Sequence, residues 1–225
     1  FIFTSTTSTF GDALRPTIEQ PTAWINEDII PISKNIYGST KLAAEDLCKM
    51  FYRNHGLNCI ILRTSRFFPE QDDDKNRRQA FDDDNLKANE YLHRRVDIED
   101  VVNAHFLARN KAIEIGFGKY IISATTPFNI NQNHQLRTNL TDTLKLIHPE
   151  YEKIYQDIGW KMFTGIDRVY DNYSARKDLG WNPKYNFAHI LQCLQENKPW
   201  QSELTKAVGA KGYHNKTFVD GPYPV

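Results

Sequence analysis

Short, wholly apolar runs alternate along the chain with longer segments whose apolar positions recur every three or four residues. The opening run FIFTST, residues 1–6, closes on a hydroxyl cluster and predicts a buried strand that ends at a polar mouth. Residues 12–36 carry Pro16, Pro21 and Pro31 with little periodicity, which predicts a long loop. Leu42, Leu47, Met50 and Phe51 then mark the apolar stripe of a helix from about Tyr37 to Asn54, with Gly56 as its stop. The run NCIILR, residues 58–63, is a second buried strand. Strand, helix and strand in this order make the βαβ unit of a parallel sheet.

Farther on, residues 70–90 are polar and charge-patterned and predict a solvated loop. Aspartate triplets stand at 72–74 and 82–84, but consecutive aspartates point in different directions, so a metal site is not expected there. RRVDIEDVVNAHFLARNKAIEIG, residues 94–116, predicts a short strand leading into a helix, with Asp97 and Asp100 spaced like a capping box. Gly116 and Gly118 end that helix, and KYIISA forms another strand. The last hundred residues read as mainly helical, over 133–147, 172–179 and 186–197, before an irregular tail from 209. There is no internal repeat and no low-complexity segment.

Composition narrows the function classes. The 225 residues are 40% hydrophobic and 25% charged, within the globular range. Lys+Arg and Asp+Glu are 28 each, so no net charge draws the chain to nucleic acid or to an anionic membrane. No apolar run approaches the roughly 20 residues of a membrane-spanning helix, and no secretory signal is visible. The three cysteines, Cys48, Cys59 and Cys193, lack metal-ligand spacing and read as small apolar residues of a reduced, cytoplasmic protein. The seven histidines show no His-x-x-x-His pattern, so no metal is expected. The four tryptophans read as packing anchors, Trp181 seating a helix end. The chain opens at Phe1 inside a strand, which predicts that residues precede it in the natural protein.

The candidate chemistry lies in NIYGSTKLAAEDL, residues 35–47. Positions i and i+4 share a helix face, so Tyr37 and Lys41 project together near the carboxyl end of the neighbouring strand, where ligands of parallel sheets bind. A free tyrosine, with a pKa near 10, is a poor base at neutral pH, and a neighbouring ammonium favours its phenolate. Spacing alone is weak: Tyr173–Lys177 is a second such pair, and chance gives about one per chain of this composition. What distinguishes the first pair is TSTTSTFG upstream, a hydroxyl cluster at a strand end, where a third group would hold a substrate oxygen against the tyrosine.

These residues resemble the extended short-chain dehydrogenase/reductases, in particular the NAD-dependent nucleotide-sugar epimerases and dehydratases such as UDP-glucose 4-epimerase. FIFTSTTSTFG is similar to that family's strand carrying the catalytic Ser or Thr, and YGSTKLAAE to its Tyr-x-x-x-Lys helix. The resemblance implies Thr6 as the catalytic hydroxyl with Ser5 as its neighbouring alternative, Tyr37 as acid/base, and Lys41 as activator and ribose anchor. ILRTSRFFPE stands where the family has a substrate and nicotinamide loop, and RRVDIEDVVNAHFLA resembles the segment that closes over the substrate diphosphate. ARKDLGWNPKYNF is similar to its late helix-plus-turn signature. By the same resemblance Ser5 and Thr64 join Tyr37 and Lys41 in holding the cofactor, Thr7 and Arg66 stand at substrate positions, and Arg94 or Arg95 would supply the phosphate contact; Arg168 in GIDRVYDN is a separate candidate for reaching a diphosphate. The sequence departs from the pattern at Arg66, where many relatives place Asn, and at His93, where they place Arg.

The implied fold is α/β, a partial Rossmann-type doubly wound parallel sheet with a smaller C-terminal substrate lobe. Residues 1–63 and 96–123 would form the dinucleotide-binding part, and 64–95 with 124–225 the lobe. The Gly-rich dinucleotide loop is absent from the sequence, and family architecture implies about a hundred residues ahead of Phe1 that carry it. The implied cofactor is NAD or NADP, NAD favoured; the implied partner is a nucleotide sugar, and a homodimer is admitted. Three activities remain open: an epimerase or dehydratase that retains its reduced cofactor, an NAD(P)H-dependent ketone reductase or dehydrogenase that exchanges it, and a non-catalytic fragment.

Overall fold

The computed structural model describes residues 1–210 except positions 18 and 73. Three strands, β1 (Ile2–Thr6), β3 (Cys59–Thr64) and β4 (Phe117–Ile122), form a parallel sheet in the order β1-β3-β4. Its register sets Thr6 beside Thr64 and Thr64 beside Ile122, so the strands end level, at one rim. All six residues of β3 are buried, as expected of a central parallel strand covered on both faces. Cys59 and Ile61 face Cys48 of α1 (Ile36–His55). On the other face, Ile60 and Leu62 pack on Val101, Ala104, Ala108 and Ala112 of α4 (Ile98–Ile115).

Asn35 starts α1 by accepting from the Gly38 N–H through its side chain at 2.8 Å, and Gly56 ends it in the left-handed conformation at φ 67°. The face it buries is not the predicted one. Leu47, Met50 and Phe51 are exposed at 54%, 40% and 44%, whereas Glu45 is fully buried. An ion pair takes the inward face, and the apolar stripe points outward.

Two segments read as loops contain structure. Within 12–36 lies β2 (Ala23–Ile25), which pairs in parallel with β5 (Arg168–Tyr170), also missed. Within 70–90 lie α2 (Lys75–Ala80) and α3 (Asp83–Glu90), and six consecutive residues of α3, Asn85–Glu90, are buried. The solvated loop is thereby corrected: Asp74 caps α2, accepting from the Asn76 N–H, and Asp72 is only 5% exposed. Among the described residues no group of His, Cys, Asp or Glu is arranged to hold a metal ion. Arg95 makes a single parallel bridge to Arg66 rather than a strand.

The remaining helices are α5 (Asn133–Thr138), α6 (Leu140–Ile147), α7 (Tyr151–Asp157), α8 (Tyr173–Leu179), α9 (Phe187–Gln195) and α10 (Glu203–Val208). The predicted helix 133–147 is thus broken at Asn139, and α7 and α10 are additional. Leu86, Leu140, Leu144, Tyr155, Phe163 and Phe187 form the core of a second lobe. α8 does not join it: Ala175, Leu179 and Trp181 pack with α4 against the sheet. Gly118 belongs to β4, so Gly116 alone closes α4. Tail positions 211–225 lie outside the described residues.

Asp97 and Asp100 do more than cap α4. Asp97 accepts from the Glu99 N–H at 2.8 Å and from the Ser202 and Thr205 hydroxyls at 2.5 and 2.9 Å. No capping box forms, because the Asp100 carboxylate accepts instead from the backbone N–H groups of Lys184 and Tyr185, each at 3.0 Å. These two carboxylates fasten the C-terminal helices to the sheet.

Candidate active site

At the shared rim of β1 and β3 a cleft of about 550 Å³ opens. Thr4, Thr6, Thr7, Tyr37 and Lys41 line it, with Arg66 from the segment after β3, Arg94 from the segment between α3 (Asp83–Glu90) and α4, and Arg168 from β5. Phe67, Phe68 and Tyr170 add apolar wall. The cleft therefore lies outside the carboxyl ends of parallel strands, as ligand sites of such sheets do.

Each hydroxyl has a defined role. Thr6 ends β1 and caps the turn Thr7–Phe10, its Oγ1 accepting from the Ser8 N–H at 3.1 Å. That leaves its hydroxyl proton available as a donor. Ser5 points to the opposite face of the strand and donates to Glu45 at 2.6 Å. Ser5, expected as a cofactor ligand or alternative catalyst, borders the cleft with its hydroxyl proton given to Glu45. Thr64 donates its hydroxyl to the Ser5 carbonyl at 3.0 Å, fastening the two strand ends; its expected cofactor contact would have to be made by another atom.

Tyr37 is 53% exposed on the first turn of α1. Lys41 places Nζ 5.9 Å from the Tyr37 ring centroid and donates to the Thr4 carbonyl at 2.9 Å. The ammonium thus sits between the phenol and the outer edge of β1. The Thr4 hydroxyl bonds His105 Nε2 at 2.7 Å. Tyr173 and Lys177, the second pair of the same spacing, do not line this cleft.

The arginines are held by carboxylates. Asp72 accepts from Arg66 at 2.7 Å and Arg94 at 3.2 Å. Glu90, fully buried, accepts from Arg94 at 2.5 Å and Arg95 at 2.7 Å. Burial pushes the Glu90 carboxyl up, but the surrounding arginine charges outweigh it and hold it well below the usual carboxylate range. Arg95, expected to contact substrate, stands apart from the cleft lining: it is 4% exposed and pairs with Glu90 and the Phe68 carbonyl. Arg168 lines the cleft with its guanidinium paired to Asp167 at 2.7 Å. His93 sits 2% exposed behind this group, with Nδ1 lacking a hydrogen-bond partner. Sequence reading missed the supporting carboxylates Glu45, Asp72 and Glu90. The Lys41–Glu45 and Glu90–Arg94 spacings of four were the available signals.

Fold and cleft together define a Rossmann-type α/β protein with an acid/base cluster at its strand ends. Residues 1–119 match the NAD dependent epimerase/dehydratase family, and the chain belongs to that family. Similar solved structures include a short-chain dehydrogenase/reductase superfamily protein from Agrobacterium tumefaciens with bound NAD, at 18% identity and TM-score 0.52, covering 92% of this chain and 69% of that one. UDP-N-acetylglucosamine 4-epimerase from Bacillus cereus is similar at 17% identity and TM-score 0.51, covering 87% and 61%. RMD from Pseudomonas aeruginosa, complexed with NADPH, is similar at 19% identity and TM-score 0.50, covering 90% and 66%. At these identities the likeness shows the fold alone, and the chain spans less than two thirds of the length of the last two. A search of curated proteins finds no match.

Proposed function

We propose that this chain carries the acid/base half of an NAD-dependent epimerase or dehydratase acting on a nucleotide sugar. The observation that carries the reading is that Thr6, Tyr37 and Lys41 line one cleft together with Arg66, Arg94 and Arg168. A hydroxyl, a phenol and an ammonium suit the removal of a proton from an alcohol, and guanidinium groups suit phosphate or another anion.

The donor set also fits the nicotinamide-ribose end of the cofactor. The Lys41 ammonium has one bond to Thr4 and further donors to offer ribose hydroxyls, beside the Tyr37 phenol. The sequence holds no Gly-rich turn for the pyrophosphate. When bound, NAD supplies a reversible hydride acceptor. Tyr37 accepts the proton of the substrate hydroxyl, Thr6 donates a hydrogen bond to the same oxygen, and the Lys41 ammonium stands beside the phenol. Arg66, Arg94 and Arg168 orient the anionic end of the substrate.

In this reading residues 1–63 and 96–123 serve the cofactor and 64–95 with 124–225 serve the substrate, except that 173–181 returns to the sheet. The outward stripe of Ile36, Leu47, Met50 and Phe51 on α1 supports a homodimer built on that helix. The described helices include none long and apolar enough to cross a membrane, and Cys48, Cys59 and Cys193 are free thiols. Both fit a cytoplasmic enzyme.

The test is an assay of the complete natural polypeptide with UDP-sugars. Interconversion or dehydration without net change in NADH supports the reading. Stoichiometric consumption of NADPH with a ketone would replace it with a reductase.

A further inference from the structure

We propose that Glu45 and Arg63 are positioning residues that set the Tyr37–Lys41 helix against the Thr6 turn; this rests on the function proposed above. Tyr37, Lys41 and Glu45 lie at successive spacings of four on one face of α1. Glu45 is fully buried, and its one carboxylate ties α1 to all three strands, Lys119 of β4 donating to Oε2 at 3.1 Å. Its Oε1 accepts from the Ser5 hydroxyl at 2.6 Å, beside Thr6 on β1. It also accepts from Arg63 of β3, through Nε at 3.0 Å and through Nη2 at 2.7 Å. Arg63 in turn lies over the ring of Phe10, 4.8 Å from its centroid, and Phe10 closes the turn that Thr6 caps.

The chemistry of the pair argues for geometry rather than stability. Both partners are almost wholly out of water, at 0% and 2% exposure, where desolvation offsets most of the Coulombic attraction. One guanidinium nitrogen, Arg63 Nη1, is buried without a hydrogen-bond partner, a further loss. Apolar residues of similar volume would hold α1 to the sheet about as well. They would not fix its rotation and slide, because only the forked bonds fail when the helix turns. Rotation of α1 decides where the Tyr37 phenol and the Lys41 ammonium stand relative to Thr6.

The test compares the wild type with Glu45→Leu/Arg63→Met, and separately with Ser5→Ala, in the complete natural polypeptide. The Tyr37 side chain is followed by its tyrosine 13Cζ resonance, assigned with Tyr37→Phe, alongside melting temperature and turnover. The double variant is expected to melt within a few degrees of wild type. Its Tyr37 resonance moves as the phenol and the Lys41 ammonium lose their fixed places. Turnover falls at least tenfold with KM changed less than twofold. Ser5→Ala, which keeps the ion pair, gives smaller changes in the same direction. A Tyr37 resonance unmoved in the folded double variant overturns the proposal, as does an unmoved resonance in Ser5→Ala if the double variant does not fold. The resonance reports positioning even without turnover, so loss of the functional reading, shown by a fully active Tyr37→Phe, is distinguishable.

Discussion

Lys41 reaches past the edge of the sheet to donate to the Thr4 carbonyl at 2.9 Å, and in that position its ammonium stands 5.9 Å from the ring of Tyr37. The bond fixes the charge next to the phenol without consuming all three ammonium donors. Lys41→Met is therefore expected to lose turnover, by about a hundredfold or more. It should also bind cofactor more weakly. Lys177→Met, in the pair outside the cleft, serves as control. Turnover and cofactor affinity that change equally in both variants, or in neither, defeat the assignment.

Gly38 brings the first turn of α1 against the Thr6 turn. A Cβ there would lie 2.7 Å from the Ser8 carbonyl oxygen, which is backbone and cannot swing aside. Gly38→Ala should cost about 1–3 kcal/mol by overpacking and displace Tyr37 from Thr6. Denaturant titration and turnover measure the two effects. Wild-type stability in Gly38→Ala would show that the turns can separate freely.

His93 supplies a pH dependence. Burial, and then the neighbouring Arg94 charge, push its imidazole well below its ordinary 6.5. The unfolded chain therefore takes up a proton that the folded one refuses, so His93 lowers stability as pH falls below 6.5. Asp100 opposes it: burial, against two backbone hydrogen bonds, raises its carboxyl to about 6, so it gains relative stability as pH falls from about 6. His93→Phe should remove the first slope, up to about 1.4 kcal/mol per pH unit, in unfolding titrations between pH 6.5 and 5. Identical slopes in variant and wild type would contradict a neutral buried histidine.

Leu47, 54% exposed, lies on the outward stripe of α1. Leu47→Lys should shift a dimer to monomer in analytical ultracentrifugation and leave the melting temperature of the monomer within a few degrees. A wild type that sediments as a monomer at all concentrations removes the dimer.

Much of this was legible in the chain. The apolar residues of FIFTST, NCIILR and KYIISA announce strands β1, β3 and β4, and α1, predicted from about Tyr37 to Asn54 with Gly56 as its stop, runs over Ile36–His55. The Tyr37–Lys41 pair was found because a strand mouth preceded it, and the structure places both in one cleft with Thr6. What the sequence obscured follows from tertiary pairing. β2 and β5 are three residues each and exist because they pair with each other. Residues 70–90 look solvated by composition, yet arginines from elsewhere neutralise Asp72 and Glu90. Leu47 and Phe51 suggested the inward face of α1, because a local pattern cannot show that Arg63 awaits Glu45 on the sheet.

The proposed role of Tyr37 as the acid/base of a hydride-transfer reaction on a nucleotide sugar is tested by the turnover of Tyr37→Phe in the complete natural polypeptide, with cofactor affinity measured in parallel. Turnover should fall by at least about a thousandfold with NAD affinity within a few-fold of wild type. Wild-type turnover in Tyr37→Phe would contradict it.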